Sequence, residues 1–198
     1  MPLASDLAPR FAQTDAPLIG ALVERWSPRA YDRNAVVAPE TVQVMLEAAR
    51  WAPSANNSQP WRFIVAHRGT PEFTAIHDAL MGFNQVWADS AAVLIVNLVE
   101  TADAEGRERP FAAYDLGQAV AHLSVQAQHL GLHSHQMGGV DRDAVKAAFG
   151  LGETLQVLSV IAVGVPGDVD ALPEALRERE LAPRTRLALD EIVLRSAA

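Results

Sequence analysis

Two arginine motifs and one polar loop carry the residue types best suited to chemistry. Arg25-Trp26-Ser27-Pro28-Arg29 puts two guanidiniums and a hydroxyl within one turn of chain. Arg184-Thr185-Arg186 offers a second pair, and in an extended segment such alternate side chains project to the same side. Each charge-assisted hydrogen bond contributes roughly 1.5–3 kcal/mol, so the two pairs converging would grip a phosphate dianion. That local clamp outweighs a formal net charge of −8. Taken singly, each motif reads more readily as solvated surface arginines. The third constellation is Ala52 to Trp61, APSANNSQPW. Pro53 and Pro60 restrict its backbone, and Ser54, Asn56, Asn57, Ser58 and Gln59 crowd hydrogen-bonding groups together as a polar heterocycle requires. By composition alone it also fits a helix-to-strand connection with Trp61 as a core anchor.

Other chemistries are excluded or weakly supported. With no cysteine there is no disulfide, thiolate nucleophile, iron–sulfur cluster or cysteine-bound zinc. His129, His133 and His135 have the spacing of imidazole ligands, but no acidic residue or cysteine nearby completes a set, so they read as pocket-lining or solvent-facing and no metal is expected. An acidic chain with a single lysine, Lys146, has no basic field to draw nucleic acid or anionic lipid. Its start lacks a signal-peptide pattern, and no run approaches the ~20 apolar residues that span a bilayer, which predicts a cytoplasmic protein with no membrane association.

The elements that must position these groups are read from hydrophobic period and punctuation. After a loose tail over Met1 to Thr14, Asp15 is expected to cap a short helix with Leu18, Leu22 and Val23 on its apolar side, ending near Ser27. A second helix starts at Pro39, buries Val42, Met45, Leu46 and Ala49, and stops at Ala52-Pro53. Phe63 to Ala66 reads as a strand, Pro71 to Leu80 as a helix, and Ala91 to Leu98 as a strand covered on both faces. A long helix from about Phe111 to Leu130 turns Leu116, Val120, Leu123 and Ala127 inward. An extended piece through His133 and His135, a helix from Asp141 to Gly150 and a strand over Val157 to Val165 follow. Residues 167–198 are expected to form an arm with little of its own to bury, ending in an apolar set from Leu187 to Leu194 suited to covering a neighbour.

With both arginine motifs and APSANNSQPW at matching spacing, the sequence resembles the FMN-dependent nitroreductase family of NAD(P)H:flavin oxidoreductases. The likeness runs from Arg25 to about Val193 and includes His135-Gln136-Met137-Gly138-Gly139 and Val163-Gly164-Val165-Pro166-Gly167-Asp168. It implies an α+β, three-layer α-β-α fold: one domain over residues 1–198, a central mixed, mainly antiparallel sheet, and the 167–198 arm wrapped around a partner subunit. It implies a homodimer in which Arg25, Trp26, Ser27 and Arg29, helped by Arg184 and Arg186, hold the phosphate and pyrimidine edge of FMN. Pro53, Ser54, Ala55 and Asn57 would reach the same FMN from the other subunit. The backbone around Gln136, Met137, Gly138 and Gly139 would approach flavin N5. Asn84 resembles a flavin-contacting asparagine, one position out of register, and Asp115 and Gln118 lie where the central helix passes the cofactor.

The implied reaction is ping-pong: NADH or NADPH delivers hydride to flavin N5, and a nitroaromatic, quinone or other conjugated acceptor receives the electrons, with no side-chain acid or base assigned. Dehalogenation, enal reduction, flavin breakdown and a non-catalytic flavin-binding role remain alternatives. Met81 to Trp87 and Thr101 to Arg109 would cover the flavin face, with Phe83, Trp87 and Phe111 as pocket walls unless they pack the core.

Overall fold

In the computed structural model, which describes residues 10–196, four strands form one sheet in the order β1-β2-β4-β3. β1 is Trp61–His67, β2 Val93–Glu100, β3 His133–Met137 and β4 Leu155–Gly164. All three pairings are antiparallel, so the parallel component expected of a mixed sheet is not found among the described residues. β2 and β4 occupy the centre because their near-continuous apolar runs can be buried on both faces.

Strand alternation sorts this sequence into two cores and hence three layers. Leu94, Val96 and Leu98 of β2 point to one side, with Phe73, Ile76, Trp87, Val145 and Leu176. Val93, Ile95 and Val99 point to the other, with Val42, Met45, Leu116 and Leu123. The first side is covered by α3 (Pro71–Asp78), α4 (Phe83–Ala88), α6 (Arg142–Phe149) and α7 (Glu174–Leu181). The second is covered by α2 (Pro39–Arg50) and the long α5 (Ala112–His129). A bulge between Asn97 and Leu98 leaves Leu158 as the extra residue on β4, and Asn97 donates to Ser159 Oγ at 2.9 Å beside it.

Local signals explain most boundaries. Thr70 Oγ1 accepts from Phe73 N at the start of α3, Asp141 accepts from Asp143 N and Ala144 N at the start of α6, and Gly150 closes α6 in a left-handed conformation. Three expectations need correction. α1 spans Gly20–Glu24 and buries no residue; Pro17 disfavours helix in the residue before it, so Asp15 cannot act as its cap. α4 arises within a stretch with no clear helical period. α7 is part of the body rather than an arm with little to bury, since Leu176 and Glu180 are buried one turn apart. α8 is Leu189–Ile192. The expected loose tail falls mostly outside the described residues, yet Arg10 is buried and Ala12 N bonds Val23 O at 2.8 Å. No helix among the described residues is long and apolar enough to cross a membrane.

Candidate cofactor site

The two arginine motifs converge. α1 ends at Glu24, leaving Arg25 extended, and α7 returns the chain so that Arg184 and Arg186 face it across a cavity of about 320 Å³. Arg29, Arg10 and Arg179 complete its cationic lining, and Ser27 adds a hydroxyl. Arg25 Nη2 donates to Ser27 Oγ at 3.1 Å, and Arg184 Nη1 donates to the carbonyls of Arg10 and Val23 at 2.8 and 2.9 Å. Burial pushes the Arg25 pKa down and the Arg186 cation pushes it further. Arg184 is lowered in the same way, by burial and then by Arg25 and Arg186. A crowd of partly desolvated like charges is a site that an anion relieves.

Glu180 is the counter-charge around which the cavity is built. Its carboxylate accepts from Arg10 Nη1 at 3.1 Å and Arg29 N at 3.0 Å, and it lies 3.6 Å from Arg29 Nη1. Trp26 Nε1 donates to it at 3.4 Å. Trp26 therefore serves mainly as floor, packed between His133 at 4.2 Å between ring centroids and the Arg10 guanidinium at 5.2 Å. Sequence reasoning missed Glu180 and Arg10. The available signal was Glu180 four residues after Leu176, on the same helical face.

The polar loop is strained and pinned. Asn56, Asn57 and Gln59 have φ of 52°, 55° and 44°, a left-handed region that asparagine tolerates and glutamine rarely adopts. Asp115, buried in the first turn of α5, accepts from Ala55 N at 3.1 Å, and Ser54 Oγ accepts from Gln59 N at 3.0 Å. Pro53, Ser54 and Ala55 line a shallow cavity of about 240 Å³ with Phe111, Tyr114, Asp115 and Gln118. No residue is shared with the arginine cavity. Within one chain the loop and the clamp are thus separate surfaces.

At the end of β3, Asn84 Nδ2 donates to Gly139 O at 3.3 Å, so the structure groups Asn84 with the glycine pair. A side chain at Gly139 would press on Asn84, whereas one at Gly138 would meet nothing within 4 Å. Gln136 Nε2 donates to Ser124 Oγ at 3.3 Å. Met137 points into the core, leaving only its backbone to meet a ligand, and Trp87 is likewise core rather than pocket wall. Phe83 and Phe111 are exposed.

His133 and His135 flank this region from β3. Burial, then Arg25 and Arg10, lower the His133 pKa to about 4. Burial also dominates at His135, lowered to about 4 despite a 2.8 Å contact from Nδ1 to Pro28 O. Both rings fold in the neutral form, whereas the unfolded chain protonates near ~6.5. Stability is therefore complete above that value and is lost as pH falls toward the folded pKa. Urea unfolding should show a loss of about 2 kcal/mol per histidine between pH 7 and pH 5. His133→Leu should remove its share of that slope, and an unchanged slope would contradict the assignment.

An anion clamp, a pinned donor-rich loop and a glycine pair on a three-layer α+β fold define a protein built to hold a phosphorylated organic cofactor. The nitroreductase family model matches residues 22–81 and 69–165, and the chain belongs to that family. It is 30% identical to an NADH dehydrogenase of Thermus thermophilus, over 88% of this chain and 93% of that one. A crystal structure of an oxidoreductase containing FMN superposes with a TM-score of 0.86 at 34% identity, covering 91% of this chain and 92% of the other. A Desulfovibrio desulfuricans protein solved in complex with FMN gives 0.75 at 25% identity, covering 93% and 99%.

Proposed function

We propose that this protein is a cytoplasmic, homodimeric, FMN-dependent NAD(P)H oxidoreductase that reduces nitroaromatics, quinones or related conjugated acceptors. The observation that carries the reading is the cluster of partly buried guanidiniums with Glu180 as its carboxylate, whose donor set fits a phosphate dianion. FMN-containing neighbours and a relative named for NADH support it.

Arg25, Ser27, Arg184 and Arg186 would hold the phosphate, and Arg29, oriented by Glu180, would set a positive charge where negative charge develops on the reduced cofactor. Bound FMN supplies the hydride chemistry between reductant and acceptor. Gly138 leaves open space for a planar ring, and Asp115 fixes the loop that would meet the cofactor of a second subunit.

A dimer is supported by two features. The loop and the clamp line different cavities of one chain. Leu18, Ile19, Trp51, Tyr114, Leu189 and Leu194 are all exposed large hydrophobic side chains that a second subunit would cover. The purified protein should be yellow, and rapid mixing with NADH or NADPH should bleach the flavin before any acceptor is added. A colourless protein that takes up no FMN overturns the reading, and a flavoprotein that neither nicotinamide reduces leaves only a binding role.

A further inference from the structure

The arginine cavity holds more positive charge than a cofactor phosphate neutralises. Arg10, Arg25, Arg29, Arg179, Arg184 and Arg186 face Glu180 as the cavity's carboxylate. A phosphate dianion contributes two further negative charges, which leaves three positive charges uncompensated. Arg10 and Arg29 are paired with Glu180, and Arg25 and Arg184 are directed by Ser27 and by backbone carbonyls. Arg179 is different. It is exposed on α7 and makes no ion pair among the described residues, and its guanidinium lies 5.7 Å from the ring centroid of Phe83. Phe83 is itself 60% exposed and is followed directly by Asn84, which bonds Gly139. Arg179 thus links the clamp to the side where the glycine pair lies. Stacking on an aromatic face leaves the in-plane N–H donors of a guanidinium free, so the charge is oriented without being neutralised.

We propose that Arg179, held by Phe83, is a specificity-determining anion contact for the second ligand, so that the reductant or acceptor admitted beside the cofactor carries a phosphate or carboxylate. The role rests on the FMN reading above. One partly exposed charge pair corresponds to a preference of about fivefold.

The test uses full-length protein at FMN concentrations that saturate both wild type and Arg179→Gln, with dissociation constants read from the change in flavin absorbance. One arm compares adenosine 2′,5′-bisphosphate with 5′-AMP, and the other compares 4-nitrobenzoate with nitrobenzene. Wild type should bind the more anionic member of at least one pair about fivefold tighter, with the responding arm identifying the source, and Arg179→Gln should bring that ratio to about one. Equal affinities within both pairs in wild type, or a preference that survives in Arg179→Gln, overturns the proposal. Failure to take up FMN overturns the underlying reading instead, so the two failures are distinguishable.

Discussion

Glu180→Gln should lower the unfolding free energy by about 3–5 kcal/mol, the range for removing one partner of a buried ion pair. For a chain of this length that corresponds to a melting temperature lower by about 10 °C. Glutamine keeps the shape of the side chain, so the loss reports charge. The carboxylate it replaces holds Arg10, the Arg29 backbone and Trp26 together, and without it the cavity's guanidiniums repel one another with nothing between them. Inorganic phosphate should restore part of the loss, because an anion bound only by the folded state stabilises it by mass action. Urea midpoints for wild type and variant, with and without phosphate, measure both effects. An unchanged midpoint would show that Glu180 is not the hub of the cavity.

The double variant Arg25→Ala/Arg186→Ala should weaken FMN binding by about 10²–10³-fold, from the loss of two charge-assisted contacts. Its stability should move the other way. Arg25 is disfavoured by its own burial and by Arg186, so the cofactor-free variant should unfold at the same urea concentration as wild type or a higher one. A structural role predicts the opposite, a less stable apoprotein. Equilibrium dialysis of FMN together with urea unfolding of the apoprotein therefore separates cofactor retention from fold support. Unchanged FMN affinity would remove both arginines from the clamp.

Residues along the chain show why some features were legible in sequence and others were not. Met45, Ala49, Leu116, Leu123 and Ala127 follow the period of their own helices, and each is buried as that period requires. Asp141 and Gly150 bracket α6 because capping and left-handed closure depend on residues within a few positions. The three-layer arrangement was implied by the family resemblance, and the continuous apolar run of β2 agreed with it by predicting a strand covered on both faces. α4 was not, since tertiary packing of Trp87 and Ala88 rather than periodicity holds it.

The candidate site divides along the same line. Its component strings, the two arginine motifs and the polar loop, are contiguous and were visible as residue types at fixed spacing. The convergence of the two arginine motifs was implied by the family resemblance, but the carboxylate they gather around was not legible: Arg10 and Glu180 lie 170 positions apart, and Glu180 is embedded in a charged helix that reads as solvated surface. That Trp87 packs the core rather than walling a pocket, and that Trp26 floors the arginine cavity between His133 and Arg10, are likewise properties of the folded chain. The sequence by itself determined most of the elements, α4 excepted, and which side chains carry charge, because backbone propensity and hydrophobic period act over a few residues. The tertiary structure alone decided which arginines share one carboxylate and which face an anion, because burial and Coulomb interaction depend on distance in space and not on distance along the chain.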